Sequence, residues 1–214
     1  MRAKISAIIF CGLDGSGKST QSKKLQEFFE KNNISCSHVW LRSPNRLSLP
    51  FLAVLHLLGI SSSKRTVSGT KIGVTNLHAH KNLQNMWKKI LFLDLKFVSW
   101  YKVNLLIKKG KISILDRFVV DALVDLAIDT CDKSVIEELA SKFLNLIPKN
   151  SKIIFLDVDP KISYERNHEE ELDILQQRRI LYLEISKLHE MITIDAKKSI
   201  EEIHQQILKE CKLD

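Results

Sequence analysis

The sequence predicts an α/β fold, a three-layer sandwich built around a five-stranded parallel sheet. Two observations carry the prediction. Short apolar runs of strand length alternate with longer helical stretches from one end of the chain to the other, and strands separated by helices imply a parallel sheet covered on both faces. The first apolar run also leads straight into a glycine-rich loop and then a helical stretch, the strand–loop–helix unit of a phosphate-binding α/β domain. The chain has 214 residues, enough for one sizeable core and short for two. One domain spanning 1–214 is therefore expected.

The elements follow in order. Ile5 to Cys11 reads as a buried strand, the glycine loop follows, and a helix runs from about Lys18 to Lys31. Ser37 to Leu41 is the second strand. Leu47 to Ile60 is mostly apolar but 14 residues long, short of the ~20 that a membrane span needs, so it reads as a packed helix or a lid over a pocket. Residues 61–76 are polar, with Gly69 and Gly73, and read as a mobile connection. A long helical pattern from about Leu77 to Lys109 stops at Gly110. Lys111 to Leu115 is the third strand, ending on Asp116-Arg117. Helices follow at about 119–130 and 134–146, closed by Pro148. Lys152 to Val158 is the fourth strand, stopped by Pro160. A helical stretch covers about 161–190, Ile192 to Ile194 is a short fifth strand, and Ser199 caps a last helix reaching Cys211.

Composition excludes several classes. Hydrophobic residues make up 44% and charged residues 27%, which is globular and not disordered. The net charge of +8 favours a polyanionic partner, and a nucleotide polyphosphate qualifies as well as a nucleic acid. Lysine and arginine are spread along the whole chain and no aromatic–basic patch stands out, so no nucleic-acid partner is expected. The four cysteines, at 11, 36, 131 and 211, show no Cys-x-x-Cys spacing, which argues against zinc and a redox pair. Widely spaced thiols suit a reducing, cytoplasmic setting. Arg2 and Lys4 before Ile5 to Cys11 imitate a secretory signal, but cleavage there would destroy the glycine loop. No membrane partner is expected. His78-x-His80 lacks a third ligand and reads as surface.

Gly12-Leu-Asp-Gly-Ser-Gly-Lys-Ser-Thr20 fits G-x-x-x-x-G-K-[ST], and it lies between an apolar strand and a helix, the context that the motif requires. Its glycines let backbone N–H groups surround an anion, and the helix beginning at Lys18 adds its positive end. The loop, including Gly12, Asp14, Gly15, Ser16, Gly17, Lys18, Ser19 and Thr20, is thus expected to hold the phosphates of ATP. Lys18 would reach the transferring phosphate and the Ser19 hydroxyl would ligate Mg2+.

At these residues the chain resembles the thymidylate kinase family of P-loop nucleoside monophosphate kinases. Further landmarks fall in the family's order. They are Arg42-Ser43-Pro44 after the second strand, Asp116-Arg117-Phe118 at the end of the third, and Phe155 to Pro160 with Glu165-Arg166. Arg179 with Tyr182-Leu-Glu and Ile194-Asp195-Ala196 complete the set. The resemblance implies a P-loop kinase fold and ATP- and Mg2+-dependent phosphorylation of a nucleoside monophosphate, dTMP first. It implies that Asp14 meets the acceptor's sugar and that Arg42 and Arg117 bind its phosphate. Lys18, Asp116 and Arg117 would be catalytic, and Ser19 and Asp116 would support the metal. Arg166 would lie on the ATP side, with Asp195, Ala196 and Lys197 near the adenine. The partners expected are small nucleotides, and a homodimer is left open.

The match weakens on the acceptor-base side. The family carries Phe-x-x-x-Arg in the helix before the glycine, whereas ungapped counting from Gly110 gives Leu91 and Leu95. A one-residue shift gives Phe92 and Lys96, so Phe92 is the candidate base contact, with core packing as its plainer role. Asp121 and Asp125 stand where the family has other residues. Four apart on one helix face, they could bind sugar hydroxyls or a cation, or be plain helix charges. The lid from Asn167 to Gln177 holds no Arg or Lys, which leaves Arg166, Arg178 and Arg179 to supply transition-state charge. Two alternatives remain open: a kinase of the same family with another small-molecule acceptor, and a nucleotide-binding regulator without turnover.

Overall fold

Residues 5–41, 48–65, 71–75 and 80–213 are described by a computed structural model. The apolar run at the start becomes β1 (Ala7–Cys11), and each of its five residues is buried. A strand with no exposed residue has both faces covered, so β1 runs through the middle of a sandwich. Its neighbours are β5 (Ile112–Asp116), also buried throughout, and β6 (Lys152–Asp157). The edge strands β2 (Cys36–Trp40) and β7 (Ile192–Asp195) complete the order β2-β5-β1-β6-β7, with every pairing parallel. This is the five-stranded, helix-flanked sheet of P-loop kinases. Because a parallel crossover needs a helix, the connections carry α1 (Lys18–Lys31), α5 (Val119–Thr130) and α8 (Leu172–Leu188), and α9 (Ile200–Glu210) follows the last strand. α1 packs on β2 and β5 and against α9, while α5 and α8 pack on each other with α8 against β6.

Three stretches differ from the sequence expectation. Residues 61–76 were expected to be a mobile connection, but β3 (Ser61–Arg65) and β4 (Lys71–Thr75) pair there as an antiparallel two-stranded sheet. Ser61–Arg65 holds no apolar residue, so the first strand gave no apolar period to reveal it. The expected helix of 77–109 begins outside the described residues, and its described part is three pieces: α3 (Lys81–Val98), a π-helical segment over Ser99–Asn104, and α4 (Leu105–Lys108). It ends at Gly110 with φ 77°, as its C-terminal glycine predicts. The stretch 161–190 divides into α7 (Pro160–Arg166) and α8, separated by residues 167–171. The apolar segment before the hairpin is α2 (Ser48–Leu57), anchored where Ser48 donates from its hydroxyl and its N–H to the buried carboxylate of Asp94 on α3. Phe51 stacks on Trp87 at 5.7 Å between the same helices. α6 (Ser134–Leu144) packs on α5. Among the described residues no helix is long and apolar enough to cross a membrane.

The sheet's C-terminal edge gathers the loops that matter. β1, β5 and β2 all end there, and ligands in open parallel sheets bind outside these carboxyl ends. Cross-strand register sets Phe10 beside Asp116 and Asp116 beside Trp40.

Candidate active site

The glycine loop turns sharply between β1 and α1, and two glycines show why other residues fail there. Gly12 has φ 137°, and a Cβ on it would lie 2.6 Å from the Leu156 carbonyl oxygen. Gly17, at φ 94°, is the N-cap of α1, and a Cβ there would meet nothing within 4 Å. It would project into open space in front of the helix. The N-cap glycine brings no side chain to the start of α1, whereas α9 has a full capping box from Ser199 and Glu202. The first turn of α1, Lys18 to Thr20, borders the cavity, an arrangement suited to an anion.

That cavity, of about 330 Å3, is lined by Asp14, Gly15, Gly17, Lys18, Ser19, Thr20, Trp40, Arg117 and Asn167. The buried Lys18 ammonium donates to the Gly12 and Leu13 carbonyls at 2.7 Å and lies 3.6 Å from Asp14 Oδ1. Ser19 Oγ donates to Asp116 Oδ2 at 2.5 Å. The other oxygen, Asp116 Oδ1, is buried without a hydrogen-bond partner among the described residues. A buried polar atom left orphaned in this way marks a place where a ligand completes the site. Ser16 is buried beneath the loop.

Arg117 has φ 69°, a left-handed conformation that costs a non-glycine residue energy and clusters at functional sites. Its N–H donates to the Phe10 carbonyl, which pins the strand end. Its guanidinium forms an ion pair with Asp14 of the glycine loop and lies 3.9 Å from Asp121 on α5. Asp121 is 3% exposed. Burial pushes its carboxyl pKa up from 3.8, with Arg117 and Lys18 pulling the other way. Tyr182 donates to Asp121 Oδ1 at 2.8 Å while stacking on Phe155. Burial and the Asp121 charge hold the Tyr182 phenol well above its ordinary value.

The three candidate lid cations separate clearly. Arg179 is bound bidentately to Asp157, at 2.7 and 2.9 Å. Its hydrogen bonds to Asp157 raise its pKa. Arg166 donates from Nη1 to the Gly15 carbonyl at 3.2 Å and remains exposed. Arg178 is paired with Asp125 at 2.5 Å and with Glu170 at 2.8 Å. Burial works against its charge, yet the two carboxylates raise its pKa above the ordinary guanidinium value. Arg178 also lines a small polar recess with Gly12, Leu13, Asp14, Arg117 and Tyr182. α7 meets the loop as well, where Ser163 Oγ donates to the Asp14 carbonyl.

The structure therefore brings Asp14, Lys18, Ser19, Asp116 and Arg117 together. Ala196 is buried, its N–H on the Asp157 carbonyl, and Lys197 is exposed, its N–H on Asp195 Oδ1. Neither lines the cavity. Phe92 packs against Phe143 at 5.6 Å with the Lys142 ammonium 4.4 Å over its ring, and it too is absent from the lining. Arg42, Ser43, Pro44 and His78 lie outside the described residues. Trp40 was missed by the sequence reading. Its signal was present, an aromatic at a strand end two residues before Arg42-Ser43-Pro44, but in sequence it looks like an ordinary strand residue.

Known proteins resemble this chain along most of its length. The family model described as thymidylate kinase matches residues 61–207. A thymidylate kinase of Plasmodium falciparum is 27% identical over 219 residues, covering 95% of this chain and 88% of that protein. One from Kosmotoga olearia is 26% identical, covering 95% and 93%. One from Francisella tularensis subsp. holarctica is 27% identical, covering 94% and 92%. These alignments extend the likeness across the glycine loop, which the family model leaves out. The family model alone spans more than half of the sequence, and the chain belongs to the thymidylate kinase family.

Proposed function

We propose that the chain transfers the γ-phosphoryl group of ATP to dTMP, giving dTDP. The observation that carries the reading is one cavity in which the glycine-led N-terminus of α1, Lys18 and Arg117 converge. Two anions brought together in water repel, and an enzyme of this kind works mainly by positioning them and offsetting their charge. The loop N–H groups from Gly12 to Thr20 hold the donor phosphates, and Lys18 exchanges its loop carbonyls for the transferring group. Arg117 binds the acceptor phosphate through a planar fork, its direction fixed by Asp14. Asp14 then faces the acceptor's sugar. Arg178, held by Asp125 and Glu170 at the edge of the glycine loop, supplies the charge that the lid lacks. Arg166, Ala196 and Lys197 lie on the donor side.

The donor set fits Mg2+. Ser19 Oγ and the orphaned Asp116 Oδ1 are hard oxygen ligands, few in number, as suits an ion that keeps several waters. When bound, Mg2+ neutralises charge on the donor's phosphate oxygens. Asp116 and Ser19 hold it or its waters.

On α3 and the helical segments after it, Leu93, Phe97, Trp100, Tyr101 and Leu105 are all exposed, at spacings that share one face. This stripe supports a homodimer, which light scattering checks. Four free cysteines fit a reducing compartment such as the cytosol.

The test is kcat/KM at saturating MgATP for dTMP, dUMP, other nucleoside monophosphates and simple sugars. Leu91 and Leu95 are buried and offer a base no hydrogen bond, so discrimination among pyrimidines is expected to be weak. Turnover with a sugar and none with dTMP would overturn the reading.

A further inference from the structure

The aromatic that the sequence offered to the acceptor base, Phe92, is already engaged by Phe143 and Lys142. Another aromatic stands on the cavity wall. Trp40 ends β2, paired in register with Asp116, and its indole is 57% exposed beside Asp14, Lys18, Ser19 and Arg117. Trp87, by contrast, is buried against Phe51. An indole this exposed in a concave, phosphate-binding cavity offers a flat apolar face to any ring that enters. Every nucleobase has a π-face, and base–aromatic stacking contributes on the scale of a strong contact.

The sheet order says which base. β2 and β7 are opposite edges. Arg166 follows β6, and Ala196 and Lys197 follow β7; with these residues on the donor side, as proposed above, a donor with its phosphates on the loop extends toward that edge. A base on Trp40 lies on the other side of the loop, in the cavity where Arg117 waits for a phosphate. We propose that Trp40 is the stacking platform for the base of the phosphate acceptor. The inference rests on the reading of the chain as a nucleoside monophosphate kinase. It adds a specificity: a stacking platform holds a planar base strongly and distinguishes one pyrimidine from another weakly.

The experiment compares wild type, Trp40→Ala and Trp40→Phe in steady-state kinetics and fluorescence titration. Trp40→Ala raises KM for dTMP by about five- to a hundredfold, leaves KM for ATP within about twofold, and Trp40→Phe restores most of the loss. Inhibition by 2-deoxyribose 5-phosphate, which has the sugar and phosphate but no base, is unchanged by either substitution. dTMP quenches the wild-type fluorescence and not that of Trp40→Phe, since Trp87 and Trp100 remain in both. That last arm survives even if Trp40→Ala fails to fold. An equal loss for 2-deoxyribose 5-phosphate would show a merely structural role and overturn the proposal. A rise in KM for ATP instead would assign Trp40 to the donor and overturn it too. A wild type that turns over dTMP with Trp40→Ala unaltered sinks only the stacking. A wild type that binds ATP but neither turns over nor is quenched by any nucleoside monophosphate sinks both.

Discussion

Replacing Arg117 with alanine tests whether the glycine loop and α5 are held by one buried charge. Arg117 Nη1 lies 3.9 Å from Asp121 Oδ1, with both side chains nearly out of solvent. Unit charges about 4 Å apart at an effective dielectric near 20 attract by ~4 kcal/mol, and removing one partner of a buried pair typically costs ~3–5 kcal/mol. Alanine shares the left-handed strain of Arg117, so the backbone cost drops out of the comparison. Asp14 keeps Lys18 nearby, whereas Asp121 loses the largest influence that lowers its pKa. Arg117→Ala is therefore expected to lose about 3 kcal/mol of stability at pH 7. Adding Asp121→Asn should recover at least half, because a neutral amide needs no counter-charge and still accepts from Tyr182. The pH dependence has a definite sign. A carboxyl whose pKa is raised in the folded state binds its proton more tightly there than in the unfolded chain. Its contribution to stability thus falls as pH rises from 3.8 through the folded value, then levels. Arg117→Ala extends that fall to higher pH, and Asp121→Asn removes it. Urea denaturation from pH 4 to 8 reads all three variants. A double variant no more stable than Arg117→Ala, with the same pH slope, would refute the pairing.

The other expectations concern turnover. Lys18→Ala should lower kcat by more than about a hundredfold while the cooperative unfolding transition persists; near-normal turnover would remove the proposed ATP site. Asp116→Asn should raise the Mg2+ concentration for half-maximal activity by about tenfold or more, read by metal titration, with KM for dTMP moved less. In kinetics, Arg117→Ala should raise KM for the acceptor, with a total loss of ~1.5–3 kcal/mol in kcat/KM, and leave ATP binding nearly intact. Arg178→Ala should lower kcat by about a hundredfold with small changes in either KM, and an unchanged kcat would pass the lid's role to Arg166.

How legible the molecule was depended on the range of the forces involved. The parallel sheet could be read because buried strands need mostly apolar runs, which Ala7 to Cys11 supplies without a break and Ile112 to Leu115 with only Ser113 between apolar residues. The glycine loop could be read because its backbone geometry admits few residues, as the clash at Gly12 shows. The β3–β4 hairpin was hidden because Ser61–Arg65 carries no apolar alternation. The π-helical segment was hidden because its apolar residues keep a helical spacing whether or not one turn widens. On the acceptor side, Phe92 looked functional by analogy of position, and a cluster with Phe143 and Lys142 cannot be inferred from spacing along α3 alone.

Asp121 and Asp125 illustrate the same limit from the other direction. Their spacing on α5 is readable, but their different roles are set by what α8 brings to them. Tyr182 and Arg178, also four apart, lie on one face of α8, so the two pairs meet across a single helix contact. Asp121 takes the phenol and looks toward Arg117, whereas Asp125 takes the guanidinium together with Glu170 from the segment before α8. The two carboxylates on α5 thus meet a tyrosine and an arginine on α8, and the four form one contact between the helices. That contact sets a cation beside the glycine loop although residues 167–177 hold no Arg or Lys. Arg178 reaches it from the helix behind the lid, fixed by two acids that also keep it charged. A charge held in place before the substrates arrive needs little reorganisation during transfer, which is the condition under which electrostatic stabilisation acts most strongly.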